Sequence, residues 1–154
     1  LFFNGSYLKG PNISSWTTGS FFARVNAGTT QGGIWGTTTW NSGDSANHWS
    51  YSGSQYVCFA SSSRPAITHP GQDVWMTYEN NIAASGIVST YKNGTLHHNA
   101  NMGFAGFRSV PLMGSAIRSG AAYGSFTGYF TKFCAYDRIV DAGERITINT
   151  WLNS

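Results

Sequence analysis

The sequence predicts an all-β protein, an antiparallel two-sheet sandwich. Three observations carry this. Short runs of apolar, aromatic and β-branched residues recur between clusters of Gly, Asn, Ser and Pro, and no segment shows sustained helical periodicity. Asn93-Gly94 separates two such runs, and Asn-Gly is the dipeptide best suited to a type I′ hairpin, whose two central residues both take positive φ. Polarity comes from Ser, Thr, Asn and Gly more than from charge. Charged residues make up 10% of the chain and aromatics 16%, where an ordinary soluble domain is roughly 25% charged.

The elements follow in order. Leu1–Leu8 is an alternating stretch broken at Asn4-Gly5. Ser20–Asn26 reads as a strand closed by Ala27-Gly28, and Gly33–Trp40 as a strand rich in Thr and Trp. His48–Ser52 and Gln55–Ala60 form a hairpin around Ser52-Gly53-Ser54, and Val74–Glu79 is an aromatic and apolar strand. Ile87–Lys92 and Thr95–His98 flank the Asn-Gly turn. Val110–Gly114, Ser125–Tyr136 and Ile146–Leu152 complete the set, with Ile139–Arg145 as a single helical turn that points Val140 and Ile146 at the core. In the penultimate strand Phe130, Phe133 and Ala135 are core positions whose uneven spacing requires a bulge. No repeat, linker or low-complexity tail divides the chain, so residues 1–154 are expected to be one domain. That length suffices to bury a core without staples. It opens Leu1-Phe2-Phe3 with no initiator Met, as a processed or truncated piece does.

The order of these pieces resembles the laminin-G-like branch of the concanavalin-A-like lectin/glucanase family. Its opening F-D-G-S-Y strand is matched by Phe3-Asn4-Gly5-Ser6-Tyr7, and the aromatic strand that follows by Phe21-Phe22-Ala23-Arg24-Val25. Val74 to Tyr78 and the hairpin Tyr91-Lys92-Asn93-Gly94 correspond to the family's Trp-led strand and Y-x-N-G turn. Pro111-Leu112-Met113-Gly114 corresponds to its P-L-x-I-G strand, and Phe126 to Ile146 to its closing segment, with Asp137, Arg138 and Glu144 in place. The chain departs from the pattern at Thr131-Lys132, where the family has an acidic pair, and at Val140, where it has Leu. The resemblance implies a jelly-roll sandwich. Asp137 and Arg138 are then either a binding loop or, as the residues themselves favour, a clasp in which Arg138 pairs with Glu144 or caps a turn.

Catalytic chemistry finds few residues. Retaining glycoside hydrolysis needs two carboxyl groups about 5–5.5 Å apart. The acids are Asp44, Asp73, Glu79, Asp137, Asp141 and Glu144, and no predicted strand carries two. No G-x-S-x-G elbow occurs, and the histidines His48, His69, His97 and His98 have no carboxylate at a suggestive spacing. His97 and His98 are adjacent on a strand and point to opposite faces, which does not suit zinc. The basic residues are scattered around a net charge of +3 with no Lys/Arg run, so nucleic acid is not an expected partner. No apolar run approaches the roughly 20 residues of a membrane span.

Recognition is the expected function, of a glycan or an extracellular surface protein, at an extracellular or particle surface. Sugars need aromatic platforms and planar polar groups. The densest supply is Gly33–Tyr51, with Trp35, Trp40, Trp49 and Tyr51 beside Asn41, Asp44 and His48. The alternative for these rings is the core of the sandwich. Calcium is a candidate cofactor, since relatives of the fold hold one through loop oxygens. Asp44 and Asn47, with Asn41, form the best local cluster, although Asn-rich loops also simply form turns. Asn4, Asn12 and Asn93 head N-x-S/T sequons. Cys58 and Cys134 are either a disulfide or two buried thiols. A second function fits the same composition: a structural subunit that self-assembles into a fibril, virion or phage appendage, with Leu1–Phe3 as a free edge.

Overall fold

Two buried phenylalanines in succession, Phe21 and Phe22, set the plan of the molecule. Neighbours on a strand face opposite sides, so the strand carrying them is covered on both. The computed structural model describes residues 1–4, 6–27, 32–38, 44–45, 48–51, 54–56, 66–68, 74–102, 106–118 and 121–154. Among them the first strands are β1 (Phe2–Asn4), β2 (Leu8–Lys9), β3 (Gly19–Ala27), β4 (Gly32–Thr38), β5 (Asp44–Ser45), β6 (His48–Tyr51), β7 (Ser54–Tyr56) and β8 (Ala66–Thr68). Then come β9 (Trp75–Ile82), β10 (Ile87–Lys92), β11 (Thr95–Asn101), β12 (Phe107–Met113), β13 (Ser115–Arg118), β14 (Ala121–Ser125), β15 (Thr127–Tyr136) and the helix α1 (Ala142–Asn153).

The strands form two sheets. The six-stranded one has the order β1-β15-β3-β9-β10-β11, all antiparallel. The nine-stranded one runs β5-β13-β14-β4-β6-β7-β8, with β12 pairing both β4 and β2. Its one parallel contact joins Ser125 of β14 to Gly33 of β4. The Asn93-Gly94 turn closes β10 onto β11 with φ of 48° and 78°, the positive pair a type I′ turn requires. Asn93 adds a side-chain acceptor, taking the Thr77 N–H at 3.0 Å.

Phe21, Ala23 and Val25 of β3, Met76, Tyr78 and Ile82 of β9, and Ile34 and Trp35 of β4 fill the space between the sheets. Burying each large side chain stabilises the fold by about 1.5–3 kcal/mol. β15 joins this core through Phe130, Phe133 and Ala135. The expected bulge is present, with the register slipping between Phe130 and Lys132. Gly128, at φ 152°, starts that strand where a Cβ would stand 2.3 Å from the Asn26 carbonyl oxygen.

The last segment differs from expectation. Ile146–Leu152 is not a strand but the body of α1, and Ile146 is 70% exposed where a core position was expected. The helix begins at Asp141, whose carboxylate accepts the Glu144 N–H at 2.8 Å while Glu144 Oε2 accepts the Asp141 N–H at 3.0 Å. This reciprocal capping box satisfies two end donors and starts the helix. Its buried face is Ile148 and Leu152, four residues apart, packed with Val140 on Phe22. The helix therefore covers part of the outer face of the six-stranded sheet.

Candidate functional site

The outer face of the six-stranded sheet is organised in rows by strand register. Under the helix, Cys134 lies opposite Phe22 and Phe22 opposite Glu79, which in turn faces Tyr91. Glu79 is 2% exposed and is held by the Arg145 Nε–H at 2.6 Å, while Asn81 Nδ2 donates to the same Oε1 at 2.7 Å. The Arg145 guanidinium lies over the Tyr91 ring, 3.6 Å from its centroid. At the same end of the helix, Arg138 NH1 donates to Glu144 Oε2 at 2.6 Å and NH2 to Oε1. Arg138 and Glu144 thus form a clasp, while the Asp137 carbonyl accepts the Thr18 hydroxyl. Arg138 is the main cause of a Glu144 pKa held at about 2.

Beyond the helix no other described element packs on this face of the sheet. One row there runs Phe2 on β1, Tyr129 on β15, Asn26 on β3 and Trp75 on β9, each opposite the next. The three aromatics are 57%, 49% and 37% exposed. The Phe2 and Tyr129 rings stand 4.8 Å apart at 40°, and Tyr129 and Trp75 6.3 Å apart at 46°. The row crosses three strand spacings, ~14 Å. At its centre Asn26 is buried and its Oδ1 has no hydrogen-bond partner. Such an acceptor carries a desolvation cost that a donor from water or a ligand relieves.

The next row toward the helix is Lys132, Arg24 and Thr77. Arg24 lies 5.6 Å from the Trp75 ring centroid and donates to Asn153 Oδ1. Lys132 donates to the Trp151 carbonyl and, at 2.8 Å, to Ser154 Oγ, and packs over the Trp151 ring.

The residues singled out in the sequence scatter relative to this face. Trp35 is fully buried, edge-on to Tyr78 and Phe133 at 6.4 and 6.2 Å. A ring with both faces packed offers no sugar platform, so Trp35 belongs to the core. Asp44 lies in β5, with His48, Trp49 and Tyr51 in β6 of the nine-stranded sheet. Trp40, Asn41 and Asn47 fall outside the described residues. Arg118 is the register partner of Asp44. Among the described residues no three His, Cys, Asp or Glu side chains come together, and most of the Asn41, Asp44 and Asn47 cluster expected to hold calcium lies outside them. Asn4 lies in β1. Asn12 takes the Ser14 N–H at 2.9 Å, and Asn93 serves its hairpin.

Cys58, the partner expected for Cys134 in a disulfide, lies outside the described residues, and Cys134 is a free thiol. It packs beside Tyr136 under the helix, and burial raises its pKa; a thiol so placed is a poor nucleophile. Burial also lowers both His97 and His98. Among the described residues, open clefts of about 710 and 530 Å³ flank the helix, beside Asn149 and Asn153 and beside Tyr136 and Thr147, and two smaller cavities border the sheets. One of about 350 Å³ lies between the sheets, lined by Ile13, Trp16, Leu112 and Phe133 among other apolar groups. One of about 270 Å³ lies beside Asn81, Tyr91 and Arg145. The first has almost no polar anchor, and the second borders the Glu79–Arg145 network, which the fold already uses.

Phe2, Trp75 and Tyr129 were not legible as a site from the chain. They lie far apart in sequence, and only the register of β1, β15, β3 and β9 aligns them. The usable signal was their place in strands whose alternate residues are core: Tyr129 precedes Phe130, and Trp75 precedes Met76.

No protein-family model matches the chain, and no curated protein does. Among solved structures it is similar to the Trypanosoma rangeli sialidase in complex with sialic acid, with a TM-score of 0.72, 9% identity and coverage of 97% of this chain and 27% of that one. It is also similar to the heptameric SAP-like pentraxin of Limulus polyphemus, with a TM-score of 0.68, 15% identity and coverage of 96% and 80%. A third is the binding domain of botulinum neurotoxin DC in complex with rat synaptotagmin II, with a TM-score of 0.59, 12% identity and coverage of 91% and 37%. The chain thus spans about a quarter of that sialidase and about a third of the toxin domain. These likenesses establish the jelly-roll type of β-sandwich.

Proposed function

We propose that this chain is a non-catalytic carbohydrate-recognition domain of the laminin-G-like kind, acting at an extracellular or particle surface. The observation that carries the reading is the exposed row Phe2, Tyr129 and Trp75 across the six-stranded sheet. Pyranose rings present an apolar face of axial C–H bonds, and aromatic side chains provide a surface for it. Polar groups alongside then select hydroxyls. Sialic acid in the sialidase structure is a precedent for sugar binding by a protein containing a similar sandwich. On the catalytic side, Glu79 is committed to Arg145 and Glu144 to Arg138 and the helix cap, which leaves neither glutamate free to act as one of the two carboxyl groups of glycoside hydrolysis.

A glycan array tests this with Trp75→Ala and Tyr129→Ala. Each is expected to weaken binding at least tenfold, the equivalent of about 1.4 kcal/mol, while the melting temperature falls only modestly because both rings are half-exposed. Trp49→Ala is the comparison: loss there, with Trp75→Ala binding normally, would return the site to Gly33–Tyr51. An array without any binder would end the reading.

A second reading, a self-assembling surface subunit, is favoured by β1. It ends the six-stranded sheet with Leu1 and Phe2 exposed, an apolar edge whose side chains, more than its three residues of backbone, would hold a neighbouring copy.

A further inference from the structure

Resting on the glycan reading of the outer face, we infer that the glycan it takes is acidic, with a sugar carboxylate received by Arg24 and Lys132 while the ring stacks on Trp75 and Tyr129. The two cations are direct register partners on β3 and β15, one row from the aromatics on the same face. Strands are about 4.8 Å apart and same-face residues about 6.6–7 Å apart, so a pyranose lying on the aromatic row brings a ring substituent within reach of both cations. Arg24 already touches the platform, with its guanidinium 5.6 Å from the Trp75 ring centroid.

Both cations have donors to spare. Lys132 spends two of its three on the Trp151 carbonyl and Ser154 Oγ, and Arg24 spends one of its five on Asn153 Oδ1. These acceptors clasp the helix end but are neutral, so neither cation meets a carboxylate among the described residues. The described acids that form ion pairs do so elsewhere: Glu79 with Arg145 and Glu144 with Arg138. A planar carboxylate is the partner that a guanidinium fork and an ammonium together complete. Single-stranded nucleic acid also uses aromatics beside cations, but it needs a basic groove that follows a backbone, and here the described cations flanking the ~14 Å row are Arg24 and Lys132.

The experiment is direct binding to matched oligosaccharide pairs, each acidic member beside its neutral counterpart: sialylated against desialylated, and uronate against carboxyl-reduced. A single-stranded oligodeoxythymidylate is the third arm. Wild type is expected to bind acidic members roughly ten- to a hundredfold tighter, with the preference shrinking as salt rises. Arg24→Gln with Lys132→Gln should erase the preference, leave weak neutral binding, and leave the melting temperature within a few degrees of wild type, since the amide introduced by Arg24→Gln keeps an N–H for Asn153. Equal binding of acidic and neutral members by wild type overturns the inference and leaves the glycan reading intact. A preference that survives in the double variant places the carboxylate elsewhere and also overturns it. Tighter binding to the oligodeoxythymidylate than to any glycan, or no glycan binding at all, removes the reading beneath it.

Discussion

Glu144 does two things with one carboxylate: it receives Arg138, and it accepts the Asp141 N–H to complete the capping box. Its pKa is held at about 2, against an ordinary 4.5, chiefly by Arg138. A group whose folded pKa is depressed stabilises the fold fully above its unfolded pKa, and that contribution is lost as pH falls through the folded value. The window is therefore pH 4.5 down to about 2. Wild type and Glu144→Gln should differ most in melting temperature above about pH 5 and converge toward about pH 2. The gap should be modest and shrink with salt, because the pair is solvent-exposed. A gap that stays constant across this range would assign the residue a purely steric role. The clasp was legible in the sequence because its members lie six residues apart, and local pairs survive any error about the larger fold.

At the scale of elements, the helix is where the sequence misleads. Ile146, Thr147, Ile148 and Thr150 are β-branched, so residue type argues for a strand. The Asp141-x-x-Glu144 box and the four-residue spacing of Ile148 and Leu152 argue for a helix, and they prevail because the outer face of β3 offers Phe22 to cover. The Asn93-Gly94 hairpin and the β15 bulge were readable for the opposite reason: turn chemistry and core spacing pointed the same way. The helix is also tied down by charge. Arg145 reaches from α1 to Glu79 of β9 at 2.6 Å. Arg145→Met strands a carboxylate in a site 2% exposed and should cost about 3–5 kcal/mol, a fall in melting temperature of roughly 10 °C. Arg145→Met with Glu79→Gln should recover most of it. If the double variant melts as low as the single one, packing of the arginine over Tyr91 is the larger contribution.

For the whole molecule, the proposed site depends on which face of which strand carries each ring. Aromatic density along the chain directs attention to residues 33–51, yet Trp35 from that stretch is core. Density along a chain says nothing about which face of which strand a ring occupies, and the exposed row draws its members from positions 2, 75 and 129. The same sheet order leaves two edges, β1 and β11. β1 is three residues long, too short to template much pairing, and β11 exposes His97, Asn99 and Asn101 along its length. Short and polar edges are how sheets resist adding neighbours. Light scattering should accordingly report a monomer of 16.7 kDa at micromolar concentration. A mass that rises with concentration, and falls back on Phe2→Lys, would instead make β1 an assembly edge. Phe2 would then be covered in the assembly, and the glycan surface would shrink to Tyr129 and Trp75. The recognition and assembly readings therefore compete for one residue, and a single substitution followed by both scattering and glycan binding separates them.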